Sequence, residues 1–154
     1  MLRFFLRMFG AGLLPPEGHG LIDPDRNPLV TESMTGSITF RNFRAPGRYS
    51  LYRRQWFLGS LAVSKSRIVA YRYRSQVVNI PFDDVRIRQV HFSFEQQDRF
   101  LIQFDASLFQ PSSSGEVEIR FTMPDAADVV SLINARINDL CPPAPAAERE
   151  CVSG

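Results

Sequence analysis

The feature that most limits what this chain can fold into is a change in hydrophobic period. From about Ser33 to Thr122 apolar residues tend to recur at every second position, whereas from Asp125 to Leu140 they recur at every third and fourth. A period of two suits strands with one buried face. The clearest is Glu116-Val-Glu-Ile-Arg-Phe-Thr122, where Val117, Ile119 and Phe121 alternate with polar or charged residues. In the helical stretch, Ala126, Val129, Val130, Ile133, Ile137 and Leu140 make a single apolar stripe. Thr122 and Asp125 form an approximate capping box around Pro124, and Pro142-Pro143 ends the helix.

Turn signals divide the period-two region into short strands. Ile38 and Phe40 alternate with Ser37, Thr39 and Arg41 up to Arg44-Ala-Pro-Gly-Arg48, whose Pro46-Gly47 pair marks a hairpin. An aromatic-rich strand runs from Tyr49 towards Phe57. Gly59 punctuates it, and Leu61 and Val63 resume the alternation before Lys65-Ser66 turns the chain into Arg67–Arg74, with Val69, Tyr71 and Tyr73 on one face. Further strands are expected over Val77–Phe82, Val85–Phe94 and Phe100–Phe109, the last with Phe100, Ile102, Phe104, Ala106 and Leu108 as an inward row. About seven antiparallel strands followed by one helix predict a mainly β fold. The sheet is bent into a partly open barrel, and the C-terminal helix buries its stripe across an open end.

The chain of 154 residues fits one core, and its 44% apolar and 22% charged residues are the balance of a globular protein. Residues 1–14 read as a short amphipathic helix, with Leu2, Phe5, Leu6 and Phe9 opposite Arg3 and Arg7. Arg7 interrupts the apolar run and no small-residue cleavage site follows, so the segment is not read as a cleaved signal peptide. It packs on its own domain, on a partner or on a membrane surface. Residues 15–32 form a linker, 33–141 the β domain and 142–154 a disordered tail. Cys141 and Cys151 both lie near the C-terminus, where a bridge would staple no core. No apolar run is long enough for a transmembrane helix, and the expected location is cytoplasmic, with peripheral membrane attachment as the alternative.

Arg53-Arg-Gln-Trp-Phe-Leu58 resembles the basic-aromatic second strand common in pleckstrin-homology domains. Gly59-Ser-Leu-Ala-Val-Ser-Lys-Ser-Arg-Ile-Val-Ala-Tyr71 and Ile80-Pro-Phe-Asp-Asp-Val85 are similar to segments of GRAM-type domains and their bacterial relatives. The resemblance covers roughly Ser33 to Leu140. It implies a pleckstrin-homology-like fold that serves as a protein scaffold or a phospholipid-headgroup module.

The residues themselves point towards binding rather than catalysis. There is no phosphate-cradling glycine loop, nucleophile elbow or zinc-ligand spacing, so no catalytic residue, cofactor or metal site is assigned. His91 between Val90 and Phe92 reads as structural, and Asp83-Asp84 as a turn rather than metal ligands. Charge is unevenly spread: Arg41 to Arg74 holds nine basic residues and no acidic one, while from Asp83 onwards twelve acidic residues face six arginines. Arg41, Arg44, Arg48, Arg53 and Arg54 surround the hairpin turn and are the candidate site for an anionic partner or lipid. Equally, several of them could only neutralise the acidic second half. Three functions compete: a protein-interaction or assembly scaffold, an anionic-membrane module, and an enzyme with an unrecognised centre. A protein partner is preferred because an apolar N-terminus needs a burial site; nucleic acid is disfavoured by near-neutral charge and the lack of a recognisable motif.

Overall fold

The computed structural model describes residues 29–96 and 98–140, together with Pro16. The proposed N-terminal helix with Leu2, Phe5, Leu6 and Phe9, most of the linker, both cysteines and the tail lie outside the described residues. Seven antiparallel strands form one sheet: β1 (Leu29–Ala45), β2 (Arg48–Val63), β3 (Arg67–Arg72), β4 (Ser75–Pro81), β5 (His91–Glu95), β6 (Arg99–Asp105) and β7 (Ser114–Thr122). Their spatial order is β4-β3-β2-β1-β7-β6-β5, curled into a half-barrel whose edges are β4 and β5. The helix α1 (Ala126–Leu140) follows β7. The mainly β half-barrel with a C-terminal helix is therefore the architecture the change of period predicts.

The β1–β2 hairpin organises the sheet. Ala45 pairs with Arg48 around Pro46-Gly47, and Gly47 takes a φ of 74°, the left-handed position that glycine fills without strain in a type II turn. Because β1 also pairs with β7, from Gly36 opposite Phe121 to Arg44 opposite Ser114, it joins the two halves of the chain. Gly59 does not interrupt β2. A side chain there would overlap the carbonyl oxygen of Tyr71, so the glycine lets β2 and β3 approach, and Phe57 meets Phe121 edge-on at 5.6 Å beside it.

Core residues come from every strand and from the helix. Leu61, Ile68, Phe82, Ile87, Phe100, Ile102, Ile119, Phe121 and Ile133 are all fully buried. On α1, Ala126, Val129, Val130, Ile133 and Ile137 face this core, against β5 and β6, each side chain contributing about 1.5–3 kcal/mol for the larger ones. Arg136 donates through Nη1 to the Ser64 carbonyl in the β2–β3 turn, latching the helix across one end of the half-barrel. That turn is built by the Ser64 hydroxyl, which accepts from the amides of Ser66 and Arg67 at 3.2 and 3.1 Å. On the opposite face of β2 and β3, Ala62, Val69 and Tyr71 form a second buried cluster with Val30, so this corner of the sheet is covered on both sides.

Several expected boundaries change for physical reasons. Val85–Gln89 is a 3-10 helix and not the first half of a strand: the Asp84 carboxylate accepts from the Arg86 amide at 2.9 Å, only Ile87 is buried, and Val85 is 76% exposed. Similarly, β6 stops at Asp105, whose carboxylate accepts from the Ser107 amide at 2.8 Å and starts a 3-10 turn over Ala106–Leu108. Phe100 and Ile102 of the inward row are buried, but Phe104 and Leu108 are only partly so. Tyr73 leaves the face of Val69 and Tyr71, since β3 ends at Arg72 and Tyr73 has a φ of 54° in the next turn. Leu140 is 47% exposed, beyond the stripe that the core covers. At the other end β1 begins at Leu29, because Leu29, Val30 and Thr31 pair with Val63, Ala62 and Leu61 before a bulge at Ser33.

Candidate functional site

Strand alternation separates the five hairpin arginines into different surroundings. Arg53 and Arg54 are neighbours on β2 and so project to opposite faces of the sheet. On the convex face, the Arg54 guanidinium lies 5.8 Å from the Tyr52 ring and 5.9 Å from the Trp56 ring, while its Nε donates to Thr39 Oγ1 at 3.1 Å. Arg41, directly across from Tyr52 on β1, stacks over the same ring at 5.3 Å. On the other face, in alternation with Arg53 and nearer the tip, Arg44 covers its cross-strand partner Tyr49, also at 5.3 Å. Each contact at such an exposed place is worth about 0.5–1 kcal/mol and holds a long side chain in one orientation. The rings remain open to solvent: Trp56 is 67% exposed, and Tyr49 and Tyr52 are exposed too.

Beside this ladder, on the same face, lies a network of charges that ties β1, β5 and β7 together. Arg120 donates to Glu95 through Nε and Nη2, both at 3.0 Å, and to Glu118 through Nη1 at 2.7 Å; Arg41 Nε reaches Glu118 at 3.3 Å. Burial would push the Glu118 carboxyl up, but the hydrogen bond from Arg120 and the charges of Arg120 and Arg41 outweigh it and bring it down to about 2. The hydrogen bonds from Arg120 also lower Glu95. So Arg41 is partly neutralised by the acidic half of the chain. Arg44, Arg48, Arg53 and Arg54 are not: among the described residues no carboxylate lies within 4.0 Å of them.

Arg48 and Arg53 belong to a different place. With Arg72, Gln55, Tyr49, Phe40 and Phe43 they line a basic notch of about 690 Å³ between the stem of the hairpin and the end of β3. The notch exists because β2 pairs with β3 only from Gly59 to Val63, which leaves the first part of β2 without a described strand on that side. Phe40 and Phe43 also line an apolar cleft of about 440 Å³ under the sheet, whose other walls come from β4, β6, β7 and Phe109. Neither cavity was legible in sequence. Arg72 sits far from the hairpin turn along the chain, and the cleft assembles residues from Ile38 to Ile119; the adjacent pair Arg53-Arg54 was the one signal that the cluster must divide.

The remaining candidates have structural surroundings. His91 starts the edge strand β5 opposite Gln103. Asp84 caps the 3-10 helix and forms an exposed pair with Arg86 at 2.7 Å, which lowers its carboxyl through the hydrogen bonds from Arg86. Among the described residues no group of three His, Cys, Asp or Glu side chains could hold a metal, and no helix is long and apolar enough to cross a membrane. No family model matches the chain, and no curated protein matches it.

Proposed function

We propose that this chain is a non-catalytic binding module of pleckstrin-homology-like architecture. The convex face of its β1–β2 hairpin docks an acidic protein partner in a cytoplasmic assembly. The observation that carries this reading is the Arg–aromatic ladder of Arg41 and Arg54 on Tyr52 and Trp56. Tyrosine, tryptophan and arginine are the residues that dominate protein interface energies, since each offers a large, weakly hydrated surface at modest entropic cost. Here they are stacked in advance, with Tyr52, Arg54 and Trp56 exposed, and among the described residues Arg54 has no carboxylate within 4.0 Å. A partner surface rich in carboxylates would gain bidentate hydrogen bonds to guanidinium groups already held in place. The half-barrel and its closing helix support the pleckstrin-homology-like comparison.

The same exposed rings and charges favour one second reading, attachment to an anionic bilayer, where tryptophan, tyrosine and arginine prefer the headgroup zone. Cross-linking and recovery of partners by the full chain, run beside sedimentation with acidic liposomes, separates the two. The protein reading predicts a stoichiometric partner that is lost on Arg54→Glu with Trp56→Ser, and no liposome binding. Salt-sensitive sedimentation with acidic liposomes and no stoichiometric partner would replace it with the membrane reading.

A further inference from the structure

The two cavities beside the hairpin differ in chemistry and share a wall. Among the described residues the cleft is lined without a single charged side chain, whereas the notch carries Arg48, Arg53 and Arg72 and no acidic residue. Phe40 and Phe43, in edge-on contact at 5.1 Å, belong to both. Phe40 pairs across the strands with Arg53, so one cross-strand pair spans the step from apolar to cationic surface.

No described element fills this end of the half-barrel, for a reason that the topology supplies. The helix latches the end that holds the β2–β3 turn, and the register places Phe40, Phe104 and Val117 towards the other. There β4 and β5 are the edges of the described sheet, and Phe40, Phe43, Val77, Phe104 and Phe109 are only partly buried. Phe104 and Phe109, edge-on at 5.2 Å, form the far wall. At about 440 Å³ the cleft lies within the usual range of ~300–1,000 Å³ for small-molecule sites, with Gln76, Asn79 and Gln110 as its polar lining.

We infer that this compound site binds an anionic amphiphile with a single alkyl chain, the chain in the cleft and the anionic head on Arg48, Arg53 and Arg72. Charge selects the occupant. Three arginines without a described carboxylate partner repel cations and favour a carboxylate or phosphate head, and a purely apolar guest would leave them unanswered. Arg72 is already oriented, its Nη1 donating to Gln55 Oε1 at 2.8 Å. The site lies on the concave side, away from Tyr52, Arg54 and Trp56, and goes beyond the partner-docking reading rather than depending on it.

Calorimetric titration of the full chain with octanoate, decanoate and dodecanoate, each below its micelle concentration, tests the site directly. Saturable binding of one ligand per chain should strengthen by roughly three- to fourfold per added methylene. Dodecanol should bind at least about tenfold more weakly, and acetate not measurably. Arg53→Gln with Arg72→Gln, at an exposed and a half-buried position, should weaken dodecanoate by about tenfold while leaving dodecanol unchanged. Val77→Trp on the edge strand should weaken both. No saturable binding of dodecanoate would overturn the inference, whether the cleft is simply wet or another segment of the chain occupies it. Equal affinity for dodecanoate and dodecanol, no effect of the arginine pair, or binding only to phospholipid vesicles would overturn it as well.

Discussion

The two ends of the half-barrel are built from the same kinds of residue and finished differently. At one end Val129, Val130, Ile133 and Ile137 of α1 complete the core, and Arg136 ties the helix to the β2–β3 turn. At the other, Phe40, Phe43, Phe104 and Phe109 line a cleft that no described element fills, and arginines gather beside it. Phenylalanine at both ends shows that hydrophobicity alone does not decide burial. The helix-closed end is where stability resides, and the open end and its hairpin are where surface remains for a ligand or partner.

Replacing residues at each end should break this comparison or sharpen it. The largest effect belongs to Ile133→Ala, which removes a fully buried side chain and should lower unfolding free energy by about 2–5 kcal/mol, read as a fall in the urea midpoint. An unchanged midpoint would mean that the helix does not complete the core. Next comes acid. Because the Glu118 carboxyl is held down to about 2, the stability it contributes is fully present above the ordinary glutamate range and is lost as pH falls towards 2. The loss should be on the order of 2–3 kcal/mol for the wild type and much smaller for Glu118→Gln, measured by denaturation at pH 6 and pH 2.5. Phe104→Ala, at the half-buried wall of the cleft, should cost only about 1–2 kcal/mol, below the ~3–5 of a fully buried phenylalanine. A cost as large as that of Ile133→Ala would mean that the open end is core after all.

How much could be read in advance follows the same division. The pattern of β7 and the stripe of α1 were legible because each has one face in the core and one in water, so burial is written directly as period. Val85–Gln89 imitated a strand because its apolar residues alternate, and only the side-chain cap from Asp84 decides for a 3-10 helix. Of the site, the arginine-rich hairpin and its turn were legible. The stacking of Arg41 and Arg54 on Tyr52 was not named, although it follows once β1 and β2 are registered. The cleft and Arg72 were beyond reach, since they depend on how far the sheet curls and where β2 loses its neighbour.

The smallest expected change in stability accompanies the largest in binding, and this pairing tests the central claim most directly. The measurement is partner recovery by the folded full chain, comparing wild type, Arg54→Glu with Trp56→Ser on the exposed hairpin, and Ile133→Val in the helix. The hairpin variant should keep its unfolding free energy within about 1 kcal/mol of wild type yet lose its partner, while Ile133→Val should lose about 0.5–1.5 kcal/mol and keep it. A hairpin variant that still recovers the partner in full would contradict the assignment of binding to this face.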